Sequence, residues 1–330
     1  MNSNPILDYQ RLSPDKIINA VEQEGYRCDG HLLALNSYEN RVYRVGLEGD
    51  KSIIAKFYRP ERWDDSAILE EHEFSNELVD SEIPVIAPMS DQYGDTLRYY
   101  QSYRFALFPN WGGRAPDLEN LSHIERLGRC LGRIHAVGKA KLYHSRPTLT
   151  PEDFGVESYN FLLENDFIPD DLRVAYQSVS EHLMQLVSWC YERAGNTLAL
   201  RLHGDCHAGN ILWVNGGPHF VDLDDSRNGP AIQDLWMLLS GTKDDQERCF
   251  ARLLKGYSQF CDFNPLEVHL IEALRTIRIM HYYAWIARRW TDPAFPKAYP
   301  WFNTQLCWED HILNLREQIS LMQELPLSLI

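Results

Sequence analysis

The spacing of hydrophobic positions divides the chain at residues 109–113, PNWGG, where no periodicity is left. Before this break, two short runs rich in β-branched and aromatic residues, 41–48 and 52–58, flank a turn-like Glu-Gly-Asp and predict a hairpin. Two further β-like runs lie at 85–87 and 103–108. The first part of the chain is therefore predicted to be built mainly on a sheet.

Helical spacing occurs twice in the first part of the chain and dominates the rest of it. A capped, proline-initiated helix is predicted from Ser13 to just before Gly25, and an amphipathic helix over 66–81. Beyond the break, Ser122 and Glu125 have the spacing of a capping box that starts a helix. The later predicted elements are a strand–loop–strand segment at 198–225 and helices over about 170–193, 230–257, 264–290 and 304–322.

Together, these elements predict an α+β fold of two lobes, a small β-rich lobe over residues 1–109 and a larger, mainly helical lobe over residues 110–330. A cleft between two such lobes is a usual place for a ligand. The composition, 44% hydrophobic and 24% charged, is ordinary for a globular protein. A chain of 330 residues is long enough to bury a sizeable core without disulfides.

Charge and cysteine content argue against several classes of protein. The chain has 32 Lys and Arg against 47 Asp and Glu, a net charge of −15, which argues against a nucleic-acid partner. Its 7 cysteines are scattered with no C-x-x-C motif, and their odd number and the length of the chain argue against a disulfide scaffold. The sequence contains neither a recognisable signal peptide nor a window apolar enough to span a membrane. We therefore expect a soluble cytoplasmic protein, and a monomer, because no heptad pattern indicates a dimer.

The densest group of chemically active residues is the run 203–210, HGDCHAGN. Asp205 is followed five residues later by Asn210, which is the spacing of the general base and the metal-binding Asn in a kinase catalytic loop. Asp222 follows a short apolar strand, where a kinase places its magnesium-binding Asp. Oxygen ligands of this kind suit Mg²⁺ bound to phosphates. The pattern predicts phosphoryl transfer, with Asp205 accepting a proton from the acceptor hydroxyl.

Two other interpretations of these residues remain open. His203, Cys206 and His207 are residue types that bind zinc, although the sequence offers no identifiable fourth ligand for a closed site. The acidic run 222–225, DLDD, taken alone would equally suit a solvated turn or a helix cap. The spacing of Asp205 and Asn210 favours the kinase interpretation over both.

The order of the motifs identifies a family resemblance. Residues 203–205 with Asn210, then 221–222, 229–230 and 234–236, resemble the aminoglycoside phosphotransferase and choline kinase-like branch of the protein-kinase-like fold. A closer resemblance, to the bacterial stress response kinase A family, covers nearly the whole chain. The runs that carry it lie at 36–43, 56–63, 202–213, 222–239 and 292–297.

This resemblance implies a two-lobed kinase fold, the cofactors ATP and Mg²⁺, and serine/threonine protein kinase activity. It implies that Asp205 is the catalytic base and Asn210 a magnesium ligand. Asp222 is implied to be catalytic and a magnesium ligand, as the counterpart of the Asp that begins the kinase DFG motif. The chain has Asp-Leu-Asp-Asp here instead of Asp-Phe-Gly, so a kinase-style flip of this segment is not implied.

Lys56, near the end of the second β-run, is expected to contact the phosphates of ATP. Its ion-pair partner is expected from the following helix, as Glu70, Glu71 or Glu73. Glu71 is favoured, because it adjoins the stripe of apolar residues on that helix.

The other residues expected to bind ATP surround this lysine in the sequence of the first lobe. The loop 36–40, NSYEN, contains no glycine, so its backbone N–H groups and the Ser37 hydroxyl are expected to reach the phosphates. Adenine is expected to stack near Phe108 and to hydrogen-bond main chain between Phe108 and Asn110. In the second lobe, Asp234 is expected to hold the catalytic segment through backbone hydrogen bonds.

Three activities are compatible with these residues. The close local matches favour a serine/threonine protein kinase in a stress response, acting on an unidentified protein, with autophosphorylation left open. A kinase for an amino alcohol, sugar or antibiotic shares the same fold, so fold alone does not decide between them. A pseudokinase is disfavoured by the intact set of Asp205, Asn210, Asp222 and Lys56.

Overall fold

The computed structural model describes Tyr9 and residues 11–329, which form two compact units. The described residues of the first unit fall within Met1–Asp117, Tyr143–Arg146 and His207–Ser226, and those of the second within Leu118–Leu142, Pro147–Cys206 and Arg227–Ile330. The boundary that the sequence suggests between residues 109 and 110 stays a prediction.

The described residues of the first unit include α1 (Pro14–Gln23), β1 (Cys28–Ala34), β2 (Arg41–Leu47), β3 (Lys51–Phe57), α2 (Asp65–Asp80), β4 (Arg98–Tyr100), β5 (Tyr103–Pro109), β7 (Ile211–Val214) and β8 (Gly217–Phe220). The strands β1 to β5 form an antiparallel sheet of order β1-β2-β3-β5-β4, and β7 and β8 form a separate hairpin.

The predicted hairpin is confirmed as β2 and β3, which pair from Arg41 opposite Phe57 to Leu47 opposite Lys51. Side chains alternate between the two faces of a strand, so consecutive residues of β3 face different surroundings. Phe57 is fully buried in the core cluster of this unit, stacked on Phe105 with ring centroids 5.2 Å apart. The alternation thereby leaves Lys56 on the other face of the sheet.

Helix α2 confirms the amphipathic helix predicted over 66–81. It begins after Asp64, whose carboxylate accepts a hydrogen bond from the Ala67 N–H at 2.8 Å. Its buried face carries Glu71 between Ile68 and Phe74. A glutamate is thereby placed in the packed side of the helix, beside apolar residues that fix its position.

The run 85–87 was wrongly predicted to be a strand. It forms only an isolated bridge, between Val85 and Phe220. Pro84 and Pro88 flank the run and have no N–H groups to extend a ladder. The Ile86 N–H donates to the Phe220 carbonyl at 2.9 Å, which ties this segment to the end of β8.

The second unit is mainly helical, and one small antiparallel pair, β6 with β9, lies within it. Its elements are α3 (Leu121–Gly138), α4 (Glu157–Glu164), α5 (Asp170–Ala194), β6 (Leu200–Leu202), β9 (Arg227–Gly229), α6 (Ile232–Trp236), α7 (Lys243–Tyr257), α8 (Ile271–Arg288), α9 (Ala294–Ala298) and α10 (Gln305–Gln323). The α+β class predicted from the sequence is confirmed. None of the helices in the described part of the chain is long and apolar enough to cross a membrane.

These helices differ from the sequence prediction in several details, of which two concern where a helix begins or breaks. Helix α3 is capped by Asn120, which accepts from the Ser122 N–H at 3.0 Å, so Ser122 lies inside the helix and does not cap it. The single helix predicted over 230–257 is two helices, α6 and α7. The break contains Gly241, in the left-handed region at φ 85°, and Thr242, which starts α7 with a capping box.

Helices α3 and α7 approach each other through glycine. A Cβ atom added to Gly128 would lie 2.0 Å from the carbonyl oxygen of Leu253, and one added to Gly256 would lie 2.1 Å from that of Glu125. Real Cβ atoms do not approach backbone so closely, so the two helices pack main chain against main chain at these points.

Candidate active site

A cavity of about 350 Å³ in the first unit has a volume typical of small-molecule sites. Its lining includes every nucleotide- and metal-binding residue predicted from the sequence: Ser37, Lys56, Glu71, Phe108, Asn110, Asn210 and Asp222. The structure therefore brings into one cavity residues that lie up to 185 positions apart in the chain, counting from Ser37 to Asp222.

Asn210 and Asp222 are positioned by the hairpin of β7 and β8. Ile211 pairs with Phe220, so the residues just outside this pair lie at the open end of the hairpin. A hydrogen bond from the Val221 N–H to the Asn210 carbonyl, at 3.0 Å, continues the pairing by one step. An amide and a carboxylate are in this way brought to the same cavity by a short local structure.

Lys56 is almost completely buried, and its ammonium contacts two carboxylates. Its Nζ lies 2.9 Å from Asp222 Oδ1 and 3.2 Å from Asp224 Oδ1. Burial opposes the charged form of this amine, but the two carboxylates outweigh it and hold the pKa of Lys56 well above its usual value. A permanently charged ammonium on the wall of a cavity is suited to bind phosphate oxygens.

The predicted ion pair between Lys56 and Glu71 is absent, although the structure describes both residues. Lys56 is instead paired with the acidic segment after β8, which places two carboxylates beside its ammonium. Of the three candidates, Glu71 is the one that lines the cavity. Burial raises its pKa to about 7, against the opposing charges of Lys56 and Arg146.

Glu70, the residue before Glu71, binds backbone away from the cavity. Its carboxylate accepts hydrogen bonds from the backbone N–H groups of His144 and Ser145, both at 2.9 Å. It thereby fixes a loop of the first unit and not the cavity.

The acidic run 222–225 is only partly solvated, because Asp224 is 4% exposed and is paired with Lys56 and Arg62. Arg62 binds both Asp224 and Asp225, the latter at 2.7 Å. Burial opposes ionisation of Asp224, but Arg62 and then Lys56 keep its pKa below the usual range. Arg62 was not singled out from the sequence, although it lies in one of the runs that carry the family resemblance.

Asp222 differs from Asp224 in exposure and backbone. Its side chain is 51% exposed, and its backbone is left-handed, at φ 59° and ψ 65°. Such a conformation is uncommon for a residue other than glycine and is best tolerated by Asn and Asp. It directs the chain into the short 3₁₀ turn Leu223–Asp225 while leaving the Asp222 carboxylate accessible.

The side-chain oxygens of Asn210 and Asp222 fit a magnesium ion. Mg²⁺ is usually held by one or two protein oxygen ligands together with water and phosphate oxygens, and Asn210 and Asp222 supply such a pair. Among the described residues, no group of three or more His, Cys, Asp and Glu is placed to hold a metal alone, so the arrangement does not suit a closed zinc site. His207, one of the zinc candidates, accepts a hydrogen bond at Nδ1 from the Gly209 N–H at 2.9 Å.

Asp205 belongs to the second unit, where the backbone before it is held by Asp234. The Asp234 carboxylate accepts hydrogen bonds from the N–H groups of His203, at 2.8 Å, and Gly204, at 2.9 Å. The predicted structural role of Asp234 is confirmed. His135 supports it from the other side, with Nε2 3.0 Å from the same carboxylate.

Asp205 itself is paired with an arginine that was not singled out from the sequence. Arg278, on α8, places a guanidinium nitrogen 2.7 Å from Asp205 Oδ1. Nothing in the local sequence distinguishes Arg278 from the other arginines of this helix, and 73 residues separate it from Asp205. The pairing shows that the predicted base lies beside a fixed positive charge.

Comparisons with known proteins point to one enzyme family. The phosphotransferase enzyme family matches the chain over residues 31–271. Stress response kinase A of Escherichia coli (strain K12) is 44% identical over 327 residues, which cover 99% of this chain and 98% of that protein. Serine/threonine protein kinase RdoA of Salmonella typhimurium (strain LT2) is 43% identical over 329 residues, 100% of this chain and 99% of that one.

The same fold occurs in a solved structure of amicoumacin kinase hAmiN in complex with AMP-PNP, Ca²⁺ and Ami. The two folds superpose with a TM-score of 0.71 at 19% sequence identity, and the match covers 94% of each chain. At this identity the likeness extends to the fold, which is protein-kinase-like.

Proposed function

We propose that this chain, which belongs to the phosphotransferase enzyme family, is a serine/threonine protein kinase. In this proposal it uses ATP and Mg²⁺ and acts in a stress response. The chain is an ATP-dependent phosphotransferase, as its family and its full-length kinase relatives indicate. The acceptor class is taken from the name of the Salmonella relative.

The observation that carries the proposal is the cavity in which Lys56, Asn210 and Asp222 meet. It combines a buried ammonium for phosphate oxygens with two oxygen donors for a metal. Ser37 and the segment from Phe108 to Asn110 line the same cavity and are the proposed contacts of the triphosphate and the adenine.

In the proposed reaction, the bond between the γ-phosphorus and its bridging oxygen breaks while a new bond forms from the acceptor hydroxyl oxygen to the phosphorus. Mg²⁺ held by Asn210 and Asp222 would supply neutralisation of the negative charge on the phosphates. Lys56 orients the phosphates, and Asp205 receives the hydroxyl proton. Positioning and electrostatics account for most of the rate in such transfers.

The support of Asp205 fits this role, because the N–H groups of His203 and Gly204, just before it in the chain, are anchored on Asp234. The Asp205 carboxylate itself pairs with Arg278. The Asp205 side chain is 20% exposed, so it is within reach of a substrate.

The test is transfer of label from γ-labelled ATP in the presence of Mg²⁺, with Asp205→Asn as the matched inactive variant. The acceptors offered are the enzyme itself, one basic and one acidic generic protein, and a panel of aminoglycosides, choline and homoserine. We expect label on Ser or Thr of protein with the wild type and none with the variant. Label confined to a small molecule would refute the proposed acceptor class and favour the antibiotic or amino-alcohol kinases that share this fold.

A further inference from the structure

A second cavity, of about 470 Å³, lies along α8 in the helical unit. Its lining includes Arg275, Arg278 and Tyr282 from α8 and Trp236 from the end of α6. Arg278 lines this cavity and also contacts Asp205 at 2.7 Å. The cavity therefore adjoins the residue proposed to receive the proton of the acceptor.

The two arginines share one face of α8, because residues three apart in a helix are neighbours. Nη2 of Arg275 is buried and has no hydrogen-bond partner among the described residues, while its Nε lies 3.3 Å from Glu272. The Arg278 side chain is 43% exposed, and Asp205 is its one partner in the described part of the chain. Both guanidinium groups thus keep unused donors, and the acidic residue in the cavity lining, Glu317, is exposed.

Aromatic rings complete the walls of this cavity. The Arg275 guanidinium lies over Trp236, 5.2 Å from its ring centroid. Tyr282 is 40% exposed and stacks on Trp285 with centroids 5.9 Å apart. Guanidinium groups held against aromatic rings are preorganised and need little further ordering when they bind an anion.

We infer that this cavity binds an oxyanion of the protein substrate, either a carboxylate or a phosphate, that lies near the acceptor hydroxyl. Arg278 determines this specificity. The inference rests on the proposed function and names its substrate class. A guanidinium matches carboxylate and phosphate geometry with paired hydrogen bonds, so one arm of Arg278 serves Asp205 while the others serve the substrate. A cationic acceptor, such as an amino alcohol, would meet like charge here and be disfavoured.

The test uses peptides of one sequence with a single Ser, in which one nearby residue is Asp, phosphothreonine or Lys. That residue is placed in turn at each position from three before the Ser to three after it. Steady-state kcat and KM are measured for the wild type, Arg278→Gln and Arg278→Lys. Arg248→Gln, on the exposed side of α7, is the matched control for loss of one positive charge.

We expect the wild type to prefer the Asp or phosphothreonine peptide over the Lys peptide by about tenfold or more in kcat/KM at the best position, which is about 1.4 kcal/mol. Arg278→Gln should bring this ratio close to one, mainly through KM for the anionic peptides, and Arg278→Lys should restore part of it. Arg248→Gln should leave the ratio unchanged. The ranking of Asp against phosphothreonine then tells which oxyanion is preferred.

Equal use of all peptides by the wild type, or a preference that survives in Arg278→Gln, would overturn the inference and leave the proposed protein kinase activity standing. If the wild type labels no peptide or protein but does label a small molecule, the proposed function itself fails. A structural role of Arg278 alone would lower kcat/KM for all three peptides by the same factor, which also contradicts the inference.

Discussion

Replacing Asp234 by alanine should destabilise the protein by about 4 kcal/mol, because this fully buried carboxylate is the acceptor for two backbone N–H groups. Each N–H group left buried without a partner costs about 1–3 kcal/mol, so the two together cost about 2–6 kcal/mol. That is a large part of the roughly 5–15 kcal/mol by which a typical protein is stable. His135 would lose its partner as well.

The measurement is urea unfolding followed by the fluorescence of the 9 tryptophans, with Asp244→Ala as control. Asp244 is exposed in the first turn of α7, where loss of a carboxylate costs less than about 1 kcal/mol. Asp234→Asn keeps an acceptor oxygen and should fall between the wild type and Asp234→Ala. An unfolding free energy for Asp234→Ala within 1 kcal/mol of the wild type would refute the reasoning from unsatisfied N–H groups.

Three further variants test the cavity and the helix contact. Lys56→Met should lower kcat by roughly 100-fold and raise KM for ATP, since a fixed charge at the phosphates is lost; near-normal kinetics would contradict the role of Lys56. Burial raises the pKa of Glu71 to about 7, so its contribution to stability is present below pH 4.5 and is lost as the pH rises to 7. Glu71→Gln does not titrate, so its stability relative to the wild type should increase between pH 5 and 8 in thermal melts. A gain that shrinks over that interval would be inconsistent with this sign. Gly128→Ala should destabilise by about 1–3 kcal/mol or more in urea unfolding, whereas Gly112→Ala, in open space, should not; equal effects would argue against the close helix contact.

Elements whose evidence lies in neighbouring residues of the sequence were predicted well. The hairpin of β2 and β3 has two apolar runs around a turn, and each run carries its own evidence of strand structure. The spacing in the sequence also singled out Asn210 and Asp222, which the structure places in one cavity. The catalytic roles of these residues and of Asp205 stay predictions. Strand β1 was missed, since Gly30 lies within it at φ 87° and a bulge interrupts its pairing with β2.

Pairings between distant segments were not accessible from the sequence. Helical spacing correctly placed Glu71 among buried residues, but it carried no information on which carboxylate reaches Lys56. That depends on the approach of the segment at Asp222, which is 166 residues further along the chain. The pairing of Asp205 with Arg278 is hidden for the same reason, because tertiary packing and not local pattern brings the two together.

The close packing of α3 against α7 also limits how this protein can vary. The nearest atoms to a Cβ added at Gly128 or Gly256 are main-chain carbonyl oxygens, so no smaller neighbouring side chain can make room for a substitution there. A library that randomises both positions should return glycine at each of them, even when all adjacent side chains are randomised too. Escape from glycine requires the two helix axes to move apart, and such a step needs several simultaneous changes along both helices.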